Sequence, residues 1–259
     1  MPFHTLLDPN RAAILSPTCA LGIMTKAPRA GEVKTRLTPP LTAPEAAKLN
    51  TCFLRDISRS IHVACGQSAS RGVAVYTPRG MEAVYADILL PDFFLLPQRG
   101  TLFGDRLLFA ADDLFKVGFN SVCLINSDSP TVAPTSFLEA VNELSKPGDR
   151  IVLGPSVDGG YYLIGLKKLH RRLFEEINWS TERVLEQTRQ RASEIGVEVH
   201  ELLGGLDVDD AATLADLCEE IFGAGAESID SIGRETQKFL SEIIEREGRE
   251  RIWPEHVPK

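Results

Sequence analysis

Signatures of several common protein classes are missing from this chain of 259 residues. No apolar run is long enough to span a bilayer, and the first residues lack the charged-then-apolar pattern of a secretory signal. No predicted strand is followed by G-x-G-x-x-G, and neither G-x-x-x-x-G-K-[ST] nor G-x-S-x-G occurs. These absences argue against a usual dinucleotide-binding fold, a P-loop NTPase and a serine nucleophile elbow.

Cysteine and histidine are also scarce, and basic residues are outnumbered by acidic ones, 28 to 36. The five cysteines are odd in number, and no two have the spacing of a metal site or a redox pair, so we predict buried thiols in a reducing cytoplasm. The five histidines stand apart from one another, and we assign none of them a catalytic role. The net charge of −8 argues against nucleic acid as a partner, because neutralising phosphates dominates that affinity.

Patterns typical of strands and helices alternate along the chain. This alternation predicts an α/β fold with a mostly parallel sheet and helices on both faces. The predicted strands are 20–25, 72–77, 91–96, 121–126, 150–154, 161–166 and 197–203. One predicted helix begins at Pro44, and the others span 105–117, 135–144, 181–195 and 210–221.

The charge density of the chain rises toward its C-terminal end. We therefore divide the chain into a domain at 18–223 and a helical appendage with a tail at 224–259. Residues 234–247 are predicted to form an amphipathic helix that packs on the core or on a second subunit of a homo-oligomer. We expect residues 1–17 to be an unstructured lead-in and residues 253–259 to be poorly ordered.

A cationic loop follows the first predicted strand. It contains Lys26, Arg29, Lys34 and Arg36, with Gly31 between them, in a chain that is acidic overall. In α/β proteins, ligands bind at the carboxyl ends of the strands, and such a loop can neutralise phosphates. The alternative is a solvated basic turn. We expect Lys34 and Arg36 to be exposed, so that removing either charge would weaken ligand binding without destabilising the fold.

A carboxylate follows the central strand, in the segment 126–130. Asp128 is predicted to lie at the same sheet edge as the cationic loop, where a carboxylate beside phosphates suits Mg²⁺ or Mn²⁺. The neighbouring Ser129 is a candidate for binding the substrate. The alternative is that Asp128 caps the turn through backbone N–H groups.

Two further segments carry candidate substrate-binding residues. Asp158, Gly159, Gly160 and Tyr161 lead into a strand, and the glycines allow the backbone to approach a ligand closely. The alternative is a plain turn between two strands, since Asp-Gly is a common hairpin signal. Trp179 stands before Ser-Thr, where it could contact a ligand or form a hydrophobic staple at a helix start.

Three carboxylates crowd the segment 207–210. Asp207, Asp209 and Asp210 repel one another unless a cation or backbone N–H groups stabilise them. We expect one of Asp209 and Asp210 to cap the following helix and one of Asp207 and Asp209 to bind a metal ion together with Asp128.

These motifs together resemble the DUF2064 family, a glycosyltransferase-like group in the nucleotide-diphospho-sugar transferase (GT-A) superfamily. The resemblance implies a GT-A fold, a cationic loop that binds nucleotide phosphates, and metal ligation by Asp128 with Asp207 or Asp209. The segment 34–37 is also similar to phospholactate guanylyltransferases. The motifs that carry the resemblance are Lys26-x-Pro28-x-x-Gly31-x-Val33-Lys34-Thr35-Arg36-Leu37, Asn126-Ser127-Asp128-Ser129-Pro130, Asp158-Gly159-Gly160-Tyr161-Tyr162, Trp179-Ser180-Thr181 and Asp207-Val208-Asp209.

The resemblance has two departures. Segment 126–128 is Asn-Ser-Asp, with a single carboxylate where many glycosyltransferases have Asp-x-Asp, and the nucleotidyltransferase pattern Gly-x-Gly-Thr-Arg-Met is absent. The resemblance implies a magnesium-dependent cytoplasmic glycosyltransferase with Lys34, Arg36 and Asp128 as catalytic residues. It would use a nucleotide sugar and a small-molecule acceptor. The alternatives are a nucleotidyltransferase that releases pyrophosphate and a non-catalytic regulatory domain that binds nucleotide sugars.

Overall fold

The computed structural model of the protein describes residues 4–11, 18–223 and 232–254. Within these residues, eight strands form one sheet with the spatial order first, fourth, third, second, fifth, seventh, sixth, eighth. In chain order the strands are β1 (Thr5–Leu6), β2 (Cys19–Lys26), β3 (Ser70–Thr77), β4 (Phe94–Pro97), β5 (Ser121–Ile125), β6 (Arg150–Pro155), β7 (Tyr161–Leu166) and β8 (Glu198–Glu201).

Seven of these strands run in one direction. Only β7 is antiparallel, to β5 on one side and to β6 on the other, whereas the other neighbouring pairs are parallel. The carboxyl ends of seven strands and the amino end of β7 therefore lie along one edge of the sheet. The predicted α/β fold with a mostly parallel sheet is confirmed.

The helices cover both faces of the sheet. In the described residues they are α1 (Ala43–Cys65), α2 (Glu82–Tyr85), α3 (Phe103–Val117), α4 (Pro134–Ser145), α5 (Val184–Glu194), α6 (Ala211–Phe222) and α7 (Arg234–Glu247), with short 3₁₀ segments at Thr35–Leu37, Arg171–Phe174 and Arg249–Arg251. None of them is long and apolar enough to cross a membrane.

Side chains that alternate along the strands build two hydrophobic cores. On β2, Leu21 and Ile23 face a core shared with α1 and α4. Ala20 faces the other core, which contains the apolar residues of α3 and α5. A third cluster joins α6 and α7 to the outer side of α1. The sheet is thus buried on both faces, as its almost uninterrupted apolar strands require.

The prediction of an unstructured lead-in is wrong for residues 4–11. Strand β1 pairs in parallel with β4, and the Leu7 N–H donates a hydrogen bond of 2.8 Å to Leu95 O. Leu7 is buried among the residues that pack on α3. A strand of two residues is too short to show an alternating pattern in the sequence. Its pairing depends on β4, which lies almost 90 residues away in the chain. Residues 1–3 and 12–17 lie outside the described residues.

Some predicted boundaries are also wrong. The helix predicted for 181–195 begins at Val184, because the Thr181 hydroxyl donates to Asn178 O at 2.7 Å and closes a turn before the helix. The strand predicted for 91–96 begins at Phe94, after a turn. In the C-terminal tail, the Trp253 indole N–H donates to Glu219 Oε2 at 3.2 Å, so the prediction of poor order is wrong there. Residues 255–259 lie outside the described residues.

Helix α7 has the predicted bounds and packs on α1. Leu240 and Ile243 are fully buried in the third cluster, beside residues of α1 and α6. The division of the chain into 18–223 and 224–259 stays a prediction.

Glu45, in the first turn of α1, ties this helix to the C-terminal segment. Its carboxylate accepts hydrogen bonds from Arg251 at 2.5 and 3.1 Å and from Arg246 at 2.6 Å, and its side chain is 15% exposed. The hydrogen bonds from Arg251, and then those from Thr42, lower the pKa of Glu45 to about 2.

Acid is therefore expected to remove the stabilisation that Glu45 provides. A carboxyl group whose pKa is depressed in the folded state stabilises the fold above its unfolded pKa and loses this effect as the pH falls toward 2. Between about pH 5 and pH 2, the parent should lose up to about 3 kcal/mol more unfolding free energy than Glu45→Gln. Urea titrations across this pH range measure the difference in unfolding free energy, with Glu242→Gln on the exposed side of α7 as the control. Parallel acid profiles of parent and Glu45→Gln would refute the effect.

Candidate active site

The loops predicted to carry the site meet at one edge of the sheet. The segments after β2, β5 and β8 leave carboxyl ends of parallel strands, and the β6–β7 hairpin turns at the same edge. Ser156 of the hairpin forms a bridge with Gly205, and the Val208 N–H donates to Asp128 O at 3.0 Å. These backbone contacts bring distant acidic segments together.

Asp128, Asp207 and Asp209 form a cluster that we call the acidic triad. Each offers one carboxylate oxygen, and the three oxygens lie within 4.8 Å of one another. The neighbouring Asp210 caps α6 instead, because its carboxylate accepts the N–H groups of Ala212 and Thr213 at 3.1 and 3.0 Å. We expected one of Asp209 and Asp210 to cap the helix, and Asp210 is that residue.

The turn after β5 is capped by Asn126 and not by Asp128. The Asp128 N–H donates to Asn126 Oδ1 at 3.3 Å, whereas the Asp128 carboxylate accepts from the Ser127 hydroxyl at 3.2 Å and from Lys34. The Asp128 side chain is thus directed toward the triad, although it could equally have capped the turn on sequence grounds.

Asp207 is the most perturbed member of the triad. Burial, together with the charges of Asp128 and Asp209, raises the pKa of Asp207 to about 8. Its Oδ1 atom is buried and has no hydrogen-bond partner within the described part of the chain. A carboxylate with an unsatisfied oxygen beside two others is electrostatically costly unless a proton or a cation joins it.

Lys34 lies against the triad and is almost fully buried. Its side chain is 5% exposed, and its Nζ lies 2.7 Å from Asp128 Oδ1, 3.2 Å from Asp209 Oδ1 and 2.5 Å from Val208 O. Burial alone would lower the pKa of this ammonium, but Asp128 and Asp209 outweigh it and raise the pKa. The expectation of an exposed Lys34 is therefore wrong, because two carboxylates from other strand ends enclose it.

The other cations of the loop divide between two places. Arg36 is 69% exposed, as expected, and pairs with Asp209. Lys26 and Arg29 both pair with Glu32, at 3.4 and 3.5 Å, away from the triad. Arg29 also contacts the sulfur of Met81. Only half of the cationic loop thus reaches the triad.

Two cavities meet at the triad. Arg36, Ser127, Asp128 and Asp209 line both of them. The larger cavity, of about 470 Å³, is also lined by Asp207 and has an aromatic wall formed by Phe103, Tyr161, Tyr162 and Trp179. The smaller cavity, of about 270 Å³, is polar and is lined by Lys26, Lys34, Thr35 and Asn50, among others.

The β6–β7 hairpin borders the larger cavity through Asp158 and Gly160. Asp158 Oδ1 accepts hydrogen bonds from the Gly160 N–H at 3.0 Å and from the Ser156 hydroxyl, so this carboxylate shapes the turn. Its part in substrate binding stays a prediction. Gly159 has φ +85°, and a Cβ there would lie 2.2 Å from Glu182 O. Gly159 is therefore required by the close packing of the hairpin on the segment before α5.

Trp179 forms part of the aromatic wall. Its ring meets Phe103 edge-on, with centroids 5.3 Å apart. Gly104 makes room for it, because a Cβ at that position would lie 2.5 Å from Trp179 Nε1. Residues predicted to bind substrate that line neither cavity are Arg29, Gly31, Ser129 and Gly159.

Several lining residues were missed from the sequence. Phe103 and Leu107 of α3, Met24 of β2 and Asn50 of α1 border the cavities. The apolar ones belong to ordinary helix and strand patterns, which give no sign that one side chain faces a cavity. Phe103 is the residue whose position could have been noticed, because it is a large aromatic side chain exposed at the first turn of a helix.

Comparisons with known proteins agree with this architecture. The chain is similar to a protein from Desulfovibrio desulfuricans G20 with the provisional name nucleotide-diphospho-sugar transferase. The two are 26% identical, the similarity covers 89% of this chain and 97% of that one, and the TM-score is 0.76. A cytidylyltransferase from Leptospira borgpetersenii has the same fold at 11% identity, covering 94% of this chain and all of that one with a TM-score of 0.53. A Methanothermobacter nucleotidyl transferase is 11% identical over 78% of this chain and 96% of that one, with a TM-score of 0.52.

No curated protein matches the chain. Residues 62–181 match the model of a family described as uncharacterized proteins conserved in bacteria (DUF2064). The matched stretch contains Asp128, Asp158 and Trp179, whereas the cationic loop and Asp207 lie outside it. The resemblance and the fold predicted from the motifs are thus confirmed: residues 62–181 match DUF2064, and the chain has the nucleotide-diphospho-sugar transferase fold.

Proposed function

We propose that the protein is a transferase that acts on a nucleotide-activated substrate, and that it transfers a glycosyl group from a nucleotide sugar. The observation that carries this proposal is the meeting of two unlike cavities at the acidic triad. A polar cavity lined by Lys26, Lys34 and Arg36 offers donors to phosphates, and a larger cavity with an aromatic wall suits an organic group. The fold shared with the Desulfovibrio protein supports the same interpretation.

The residues of the triad fit a divalent cation. Three carboxylate oxygens lie within 4.8 Å of one another, and the buried Asp207 Oδ1 lacks a hydrogen-bond partner in the described residues. Mg²⁺ and Mn²⁺ prefer oxygen ligands, and Mg²⁺ usually keeps places for substrate phosphates. Asp128, Asp207 and Asp209 would hold the ion, which when bound supplies positive charge to the leaving phosphates.

The side chains around the triad have separable tasks. Arg36 lines both cavities, and its guanidinium, which pairs with Asp209, is 69% exposed, so its remaining N–H groups can donate to phosphate oxygens. Phe103 and Trp179 offer ring surfaces for a sugar or base. Asp158 and Gly160 hold the hairpin in a fixed shape beside them.

Nucleotidyl transfer is the second candidate. The smaller cavity, with Lys26, Lys34 and Arg36 among its lining residues, has the charge to hold pyrophosphate as a leaving group. The fold is also that of the Leptospira cytidylyltransferase. The two reactions differ in their products, a nucleoside diphosphate in one and pyrophosphate in the other.

Product analysis separates these reactions. The protein is incubated with Mg²⁺ and one of two panels: nucleotide sugars with small hydroxyl-bearing acceptors, or nucleoside triphosphates with sugar phosphates as acceptors. We expect nucleoside diphosphate from the first panel, and release above background only with Mg²⁺ present. Release of pyrophosphate from the second panel would show that the reaction is nucleotidyl transfer and not glycosyl transfer. If neither product is released, the proposal that the protein is a transferase is refuted.

Arginine variants test the placement of the phosphates. Arg36→Ala should lower kcat/KM at least about tenfold, because a charged contact to the developing negative charge is lost. Arg29→Ala, in the same loop but outside both cavities, should stay within about twofold of the parent. Both side chains are exposed, so thermal unfolding should change little. Equal losses in the two variants would contradict this placement.

A further inference from the structure

The cationic loop and the triad share a feature that phosphate binding does not explain. Lys34 uses its ammonium on Asp128 Oδ1, Asp209 Oδ1 and Val208 O, and the first two belong to the carboxylates that would hold a divalent ion. One cation thus already neutralises the place where another would bind. Two cations that use the same carboxylates repel each other and compete.

The neighbourhood of Lys34 allows its ammonium to leave while its backbone stays in place. Val33 and Leu37 are buried on either side of it and anchor the segment in the fold. Lys34 itself has φ +50° and directly precedes the Thr35–Leu37 turn. Its side chain lines the smaller cavity but not the larger one. Rotation about the flexible lysine stem would therefore bring the ammonium into the smaller cavity.

We propose that Lys34 is a resident counter-ion of the acidic triad, which a divalent cation displaces. In the unliganded protein the ammonium holds Asp128 and Asp209 in place. When the ion binds these carboxylates, Lys34 turns into the smaller cavity, where a phosphate group becomes its partner. Metal and phosphate then favour each other's binding, since each relieves a charge that the other leaves unpaired. This inference rests on the proposed metal site.

The test is the affinity of the protein for Mn²⁺ alone, without nucleotide. Lys34→Met keeps an unbranched, flexible side chain that is one atom shorter and removes its charge, so it should bind Mn²⁺ at least about tenfold more tightly than the parent. Arg29→Met removes a cation of the same loop that pairs with Glu32 and lines neither cavity, and it should bind Mn²⁺ as the parent does. Titration followed by Mn²⁺ electron paramagnetic resonance measures the three affinities.

A second measurement uses the unaltered protein and so does not depend on the folding of a variant. Amine acylation followed by mass spectrometry should label Lys34 poorly without metal, because its ammonium is buried and paired. Saturating Mn²⁺ should increase the labelling of Lys34 several-fold, relative to that of Lys26.

The outcomes separate this inference from the proposed function. Tighter Mn²⁺ binding by Lys34→Met, with increased labelling in the parent, supports the exchange. Parent-like or weaker Mn²⁺ binding by Lys34→Met, or labelling that Mn²⁺ does not change, overturns it and leaves the metal site standing. If neither the parent nor Lys34→Met binds Mn²⁺, the metal site of the proposed function fails, and the exchange fails with it.

Discussion

Asp128→Asn is expected to abolish the effect of Mg²⁺ on nucleotide binding while the protein stays folded. The substitution removes the charge of one of the three triad carboxylates. Because loss of a mere outer-shell partner weakens metal binding by about 10- to 100-fold, loss of this direct ligand should weaken it at least as much. The unfolding free energy should change by less than about 1 kcal/mol. Lys34 keeps Asp209 and Val208 as partners, and Asp207 loses a repulsive neighbour.

Asp210→Asn is the matched control for this variant. Asp210 stands next to Asp209 in the chain but caps α6, and asparagine is nearly as good a cap. Nucleotide binding by Asp210→Asn should therefore respond to Mg²⁺ as in the parent. If the Asp128 and Asp210 variants respond alike, the triad does not hold the ion.

Asp56→Ala is expected to cost about 3 kcal/mol of unfolding free energy. This carboxylate, 3% exposed in α1, accepts the N–H groups of Glu235 and Thr236 at 2.9 and 2.8 Å and the Thr236 hydroxyl at 2.7 Å. Helix α7 has no side-chain cap of its own, so Asp56 satisfies its first turn from another helix. Alanine leaves three donors, two of them fully buried, without their acceptor.

Urea denaturation measures this cost, with the exposed Asp216→Ala on α6 as the control. Equal midpoints for the two variants would show that the contact contributes nothing.

The form of the transition also tests the predicted domains. If residues 224–259 are a separable unit, Asp56→Ala should release α7 in a first step and leave the sheet folded. If α7 is part of one cooperative core, a single transition should move to lower urea.

The gathering of the triad could be predicted because topology alone produces it. Parallel strands bring their carboxyl ends to one edge, so Asp128 after β5 and Asp207 after β8 had to lie near that edge once the strands were recognised. The apolar strands were long enough for their patterns to be read. The order of strands along the edge, and hence the distances within the triad, could not be derived in this way.

The errors concern partners that are distant in sequence. Lys34 is buried because two other segments close over it, and nothing in its own loop reveals them. Strand β1 exists because β4 offers it a sheet edge. Asp128 could cap the turn or face a metal ion on sequence grounds, and its contact with Lys34, which follows another strand, decides between the two. Propensity and spacing describe a segment alone, whereas these outcomes depend on what packs against it.

In the proposed function, nucleotide and metal bind together at the acidic triad. Calorimetric titration of the parent with UDP, GDP, CDP and ADP, each with saturating Mg²⁺ and again with a chelator, tests it most directly. We predict that at least one of these nucleotides binds about tenfold or more tightly with Mg²⁺, because its phosphates complete the coordination shell of the ion. Equal affinity with and without Mg²⁺ for every nucleotide would show that nucleotide and metal do not bind together at the triad.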